Sequence, residues 1–327
     1  MKKGITIIFI GLLSIPVLAK AEPIEVGKGT LKLGGIFQTT LSYTEATSIH
    51  TSFGMKRARF LLSGSIIPDK VKYFVQTEVV GAPSLLDTKL QFFYLPKTEI
   101  AVGRFLPNFT YYMPMSTAKL DLVNYPLITT QYAVWRQVGI QTTTTLDRFD
   151  LNVGVFNGYP ANNMNDTNNA KDLFGRVTAK PIDGLQVFGY AWMGNAFATR
   201  TGILAQNRVG GGASFEKKLS QESKVLTLRG EYLKASNENA ADSMGYYAQA
   251  GLKVTPKIEI LSRYDGYDPN VDAKDDGLTW ITGGLNYYLD GTNVMFYLNY
   301  IKKINEVPSG SSDPKDDEVV LQAQVAF

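Results

Sequence analysis

The sequence contains no cysteine and a single histidine, His50. Without thiols there is no disulfide framework and no thiol chemistry. Hydrolytic chemistries usually need a histidine base, and His50 would need a nucleophile or carboxylate brought to it by other segments, which no motif signals. Charge of one sign is also scarce: 33 basic against 30 acidic residues give +3. So balanced a chain has no signature of nucleic-acid binding or of an acidic partner. The carboxylates of Asp313 to Glu318 lack the spacing of a calcium loop and read as hydrated surface, as does the Asn-rich stretch Asn162 to Asn169. No motif asks for a metal or a cofactor. Past residue 18 there is neither an apolar run fit for a membrane helix nor a stretch of 3.6-residue periodicity, which argues against a helical fold.

What is present begins with an export signal. Lys2 and Lys3 precede an uncharged, mostly apolar run from Ile5 to Leu18, and Ala19-Lys20-Ala21 places small residues at a cleavage site. That run is about 14 residues, against roughly 20 for a spanning helix. Residues 1–21 are therefore expected to be a signal peptide. Removing Lys2, Lys3 and Lys20 leaves residues 22–327 near neutrality.

From Gly29 onward apolar and polar residues alternate in bursts of about ten, the length of a strand that crosses a bilayer. Leu185, Val187, Gly189, Ala191 and Met193 interleave with Gln186, Phe188, Tyr190 and Trp192. A period of two sorts such sets onto opposite faces of a strand. Tight links such as Ile67-Pro68-Asp69-Lys70, Pro181-Ile182-Asp183-Gly184 and Asp290-Gly291-Thr292 carry Pro, Asp and Gly, which set φ, bond to backbone and permit positive φ. Longer polar links fall between them. The expected fold is an all-β transmembrane antiparallel barrel of about 16 strands, with short periplasmic turns and long extracellular loops. Closure follows because hydrocarbon cannot satisfy an open strand edge, and a barrel this wide should hold water.

Phe327 ends the chain in phase with Val319, Leu321, Ala323 and Val325. An apolar last strand closed by Phe looks like the signal that bacterial barrels present to their assembly machinery.

The stretch from about Gly54 to Gly158 resembles the phosphate-selective porin O and P family. The resemblance rests on Lys56-Arg57-Ala58-Arg59-Phe60, Gly64, Lys72-Tyr73-Phe74-Val75-Gln76 and Val102-Gly103-Arg104-Phe105, then on Arg136-Gln137-Val138-Gly139-Ile140-Gln141 and Phe156-Asn157-Gly158. The last half of the chain shares only the strand pattern. The resemblance implies a 16-stranded, usually trimeric porin of the bacterial outer membrane whose third outer loop folds inward.

Phasing each strand by its apolar face gives the candidate pore lining. Ala58, Phe60, Leu62 and Gly64 facing lipid turn Arg57 and Arg59 inward; Tyr73, Val75 and Val79 outside leave Lys72, Gln76 and Glu78 inside. The same phase directs Lys89, Arg176, Arg208, Arg229, Lys253 and Arg263 inward, beside Asp150, Asp172, Glu216, Glu231, Glu259 and Asp265. A basic residue on the lipid face at mid-membrane would cost about 2–4 kcal/mol. These charges read either as an electrostatic filter or as wall-stiffening pairs such as Arg229 with Glu231 and Glu259 with Arg263. A phosphate site would need a dense basic ladder, and the mixed wall departs from what the family name suggests.

The longest connection, 106–134, carries Phe109, Tyr111, Tyr112, Met113, Met115, Tyr125 and Tyr132. So many large apolar groups do not suit a solvated tail, and the segment is expected to be a constriction loop with Tyr111, Lys119 and Asp121 meeting solute. The aromatics Tyr94, Phe149, Trp135, Tyr287 and Tyr288 are candidates for interfacial girdles. The expected partners are outer-membrane lipid, assembly machinery, small hydrophilic solutes and two further copies of the chain. The expected activity is passive diffusion. A structural or adhesive barrel with a filled lumen stays open as the alternative.

Overall fold

The computed structural model describes residues 23–327 apart from 28, 47, 199–201, 220–223, 239 and 308–311, so the expected signal peptide lies outside the described residues. The described chain is nearly all antiparallel sheet. Its strands are β1 (Ile24–Val26), β2 (Gly29–Thr44), β3 (Thr51–Ile67), β4 (Val71–Glu78), β5 (Ser84–Leu95) and β6 (Thr98–Phe105). After the longest connection come β7 (Gln137–Thr145), β8 (Phe149–Phe156), β9 (Asp172–Ala179), β10 (Leu185–Ala198), β11 (Gly202–Lys218) and β12 (Val225–Asn237). The series ends with β13 (Ser243–Thr255), β14 (Ile258–Asp268), β15 (Leu278–Asp290), β16 (Val294–Asn305) and β17 (Glu318–Ala326).

Each strand from β2 to β17 pairs with its sequence neighbours, and β17 pairs back onto β2 through Gln324↔Gln38, so sixteen strands close a barrel. Turn chemistry sits at the tight links expected from the sequence, with Asp69 at φ 58° between β3 and β4. The opposite rim is uneven. It carries the long links 106–136, 157–171, 269–277 and 306–317, but 45–50, 79–83 and 238–242 are as short as turns.

The alternation inverts that of a soluble protein. Val153, Leu173, Ile260 and Leu298 face outward and are exposed, whereas Asn152, Gln141, Asn299 and Gln322 face inward and are buried. Apolar outside and polar within is what a sheet solvated by hydrocarbon requires. The phase slips at a β-bulge. Gln38 pairs with Arg57 and Thr39 with Met55, leaving Lys56 as an extra residue on β3. Lys56 and Arg57 therefore both reach the lumen, where strict alternation would have sent Lys56 to lipid.

The seam is built around the last residue. Gly35 and Phe327 exchange backbone hydrogen bonds of 3.0 and 3.1 Å. The Phe327 ring stacks on Phe37 at 6.2 Å between centroids. A Cβ on Gly35 would come within 2.7 Å of that ring, so a larger residue here would push the Phe327 ring aside. Below the end of β17, β1 turns back to pair with Gly29–Leu31 of β2 and covers the edge left over.

Candidate functional site: the lumen and its inward segment

Residues 106–136 leave β6 and run through the barrel interior, with a short helix α1 (Leu127–Tyr132) within them. Irregular backbone cannot satisfy itself, so its N–H and C=O groups need partners from the wall. Side-chain amides supply many of them, having donor and acceptor without charge. Gln38 donates to the Thr117 carbonyl at 3.1 Å and Gln324 to that of Ala118 at 3.0 Å. Asn286 donates to the Asp121 carbonyl at 2.8 Å, and Asn299 accepts from the Val123 N–H at 2.8 Å.

Charged wall residues do the same at the segment's ends. Arg176 donates to the carbonyls of Asn108 and Thr110 at 3.2 and 2.9 Å. Arg263 donates to those of Asn124 and Tyr125 at 3.0 and 3.2 Å, and Lys56 to that of Val123 at 2.9 Å. Glu231 accepts from the Tyr111 N–H and Asp265 from the Leu127 N–H, both at 3.0 Å.

Apolar packing fixes which wall the segment lies against. Phe109, Tyr112 and Met113 are fully buried in one cluster with Phe156, Phe174, Phe188, Tyr190 and Trp192. Phe109 meets Tyr190 at 4.9 Å and Trp192 at 5.7 Å, and Tyr111 stacks on Phe188 at 5.8 Å. The lumen is thus filled from the β8–β13 side, and what stays open is eccentric.

Across from that cluster, the inner wall of β3–β6 is wetted in its turn-rim half, whereas Gln76, Asp87 and Arg104 toward the other rim are buried. The Arg59 and Lys89 side chains are 14% and 25% accessible, against 2% for Arg263 in the docked zone. Arg59 pairs with Glu78 at 2.9 Å and reaches the Thr117 hydroxyl at 3.3 Å. Arg57 donates to Gln38 at 2.6 Å, Lys89 lies 3.8 Å from Glu99, and Lys72 sits 5.0 Å above the Phe93 ring. Arg57, Arg59, Lys72 and Lys89 outnumber Glu78 and Glu99, so this lane carries a positive excess.

The residues singled out from the sequence therefore divide. Arg57, Arg59, Lys72, Glu78 and Lys89 edge the open lane. Arg176, Arg229 and Arg263 point inward but hold the segment, and Arg208 faces inward opposite Trp192. Within the segment, Asp121 is the hub: its carboxylate takes Tyr112 at 2.6 Å, Gln249 at 3.0 Å, and Arg229. The Tyr111 hydroxyl accepts from Arg229 at 3.0 Å, while Lys119 is exposed.

Other expectations are corrected. Arg229 pairs with Asp121 and Arg263 with Asp265, so the expected pairs Arg229 with Glu231 and Glu259 with Arg263, each within one strand, do not form. Glu231 is taken by Tyr190 at 2.7 Å and Glu259 by Tyr288. That bond turns Tyr288 inward, and Trp135 packs on Tyr125 inside the lumen, so neither belongs to a girdle. Tyr94, Phe149 and Tyr287 do face outward at the turn rim. Sequence reasoning passed over the amides Gln38, Asn286, Asn299 and Gln324; their signal was polar side chains at inward positions without charge. His50 lies on a rim link with Nδ1 3.0 Å from the Thr44 carbonyl.

The model of the phosphate-selective porin O and P family matches residues 218–327, outside the stretch that carries the motifs quoted for the resemblance. A comparison with curated proteins finds no significant match. Among solved structures, the anion-selective porin from Comamonas acidovorans is 15% identical with a TM-score of 0.68, over 91% of this chain and 100% of that one. The outer membrane channel DcaP of Acinetobacter baumannii is 12% identical with a TM-score of 0.69, over 91% and 97%. OmpT of Vibrio cholerae, solved in a trimer form, is 14% identical with a TM-score of 0.66, over 92% and 100%. The chain therefore has the porin fold, and its residues 218–327 carry the sequence pattern of the phosphate-selective porin O and P family.

Proposed function

We propose that the protein is a bacterial outer-membrane porin through which small hydrophilic solutes and ions diffuse passively. The observation that carries this reading is the eccentric lane along β3–β6, lined by partly accessible charged side chains beside the docked segment. A barrel that served only as a scaffold would have no need of a wetted, charged strip beside a docked segment. The turn rim faces the periplasm in this reading, the uneven rim faces outward, and residues 1–21 direct export. Segment 106–136 acts as the constriction. The trimer form in which the OmpT neighbour was solved supports a homotrimer.

The charge excess of the lane favours anions, because low-dielectric walls focus the field of Arg57, Arg59, Lys72 and Lys89 into a narrow aqueous path. The name of the Comamonas neighbour agrees with that sign. The porin fold and the family pattern of residues 218–327 support a channel over an enzyme. Recording from single channels in a salt gradient tests the reading. The wild-type protein should conduct with a reversal potential on the anion side, and the Arg57→Glu, Arg59→Glu double variant should move it toward cations. An unmoved reversal potential would overturn the assigned lane, and a silent membrane the porin reading itself.

A further inference from the structure

Beneath the inward segment, on the turn-rim side of the β7–β10 wall, lies a second cavity of about 460 Å³. That is within the size range of small-molecule sites, about 300–1,000 Å³. Its ceiling is the segment itself, with Tyr111, Met115 and Lys119, and its wall includes Thr145, Asp150 and Gln186. Its Thr143 wall is the cross-strand neighbour of Glu99, so it lies beside the basic lane of β3–β6.

The free bonding capacity of this cavity decides what it suits. Arg176 spends its Nη1 donors on the carbonyls of Asn108 and Thr110 and its Nε on the Thr178 hydroxyl, so these donors are turned away from the cavity. Asp150 pairs with Lys180 through Oδ2 at 2.6 Å, and its Oδ1 is buried away from the cavity. The side chains of Gln186, Thr145 and Lys119 have no hydrogen-bond or ion-pair partner among the described residues. An amide, a hydroxyl and an ammonium offer donors and acceptors together. Lys119 opposes a cation, and Asp150, already paired with Lys180, adds no free charge of either sign. The Met115 side chain and the Tyr111 ring add an apolar surface against which C–H groups can lie.

From this we propose that the cavity is a binding subsite for a neutral polyhydroxylated solute of monosaccharide size, held on its way through the channel. Hydroxyl groups are donor and acceptor at once, and so they satisfy this mixed set where phosphate, mostly acceptor and charged, leaves the Gln186 carbonyl and the acceptor side of the Thr145 hydroxyl poorly matched. The proposal rests on the diffusion reading for its biological sense, but not for its test.

The purified full chain is assayed in two ways. In planar bilayers, glucose should reduce the salt current along a saturating curve, and in detergent the same sugar should give a saturable heat of binding by calorimetry. Replacing Gln186→Ala and Thr145→Val together should weaken half-saturation about tenfold, as loss of two modest hydrogen bonds implies. Neither change strips a partner from another group of the protein. The proposal is overturned if glucose changes the current only linearly, as viscosity would, or if the double variant binds glucose as tightly as wild type. It is equally overturned if sodium phosphate saturates the site in place of glucose. If the bilayer is silent, the diffusion reading fails, while calorimetry still shows whether the sugar site exists.

Discussion

At the scale of single residues, Asp121 and Gly35 carry the most specific expectations. Asp121 gathers Tyr112, Gln249 and Arg229 at the middle of the inward segment. Asp121→Ala leaves the Arg229 guanidinium without its carboxylate in a water-poor lumen, a change that releases the segment more than it unfolds the wall. Channel recordings should show larger and noisier conductance; current identical to wild type would mean that Asp121 does not anchor the segment. Gly35→Val places a branched side chain where the Phe327 ring sits. The variant should lose its folded, heat-shifted mobility in a detergent gel at a markedly lower temperature, and unchanged heat resistance would show that the seam does not depend on that contact. Phe327 was visible in the sequence as a terminal signal, but its socket was not, because Gly35 and Phe37 lie at the other end of the chain.

At the scale of elements, the strands were legible wherever one face is uniformly apolar, as in β10 and β17, since a period of two survives without knowledge of partners. The bulge at Lys56 was not legible. An extra residue is recognised only from the register of the neighbouring strand, so the phase that rightly turned Arg57 inward could not also bring Lys56 there. The same limit explains the missed pairings: the partners of Arg229 and Arg263 depend on where segment 106–136 lies, which no local pattern encodes. The glycine of Val102-Gly103-Arg104-Phe105 has a reason visible only in space, since φ is 128° and a Cβ would lie 2.1 Å from the Thr88 carbonyl oxygen. Trp192 tests the packing of the segment. It is fully buried, stacked on Phe156 at 5.4 Å and against Phe109 at 5.7 Å. Trp192→Ala should cost about 3–5 kcal/mol, read as a lower urea midpoint for loss of the folded barrel. A midpoint within error of wild type would mean the aromatic cluster adds nothing to stability.

At the scale of the whole molecule, the composition was deceptive, since near-zero net charge and ordinary apolar content also suit a soluble protein. What distinguished this chain was the order of its residues, with apolar side chains turned out and amides, charges and hydroxyls turned in. Placing a charge on the outward face tests that arrangement: Val153→Arg should destabilise the folded barrel in bilayers by about 2–4 kcal/mol, with little change at an inward position such as Thr143. The central claim is that the inward segment fills one side of a water-filled barrel and leaves a conducting lane on the other. The most direct measurement compares single-channel conductance of the full chain with that of a folded variant in which 110–132 is replaced by a short Gly-Ser link. The account expects a small, steady conductance from the full chain and one several times larger from the shortened one. Equal conductances, or no current from either folded protein, would contradict it.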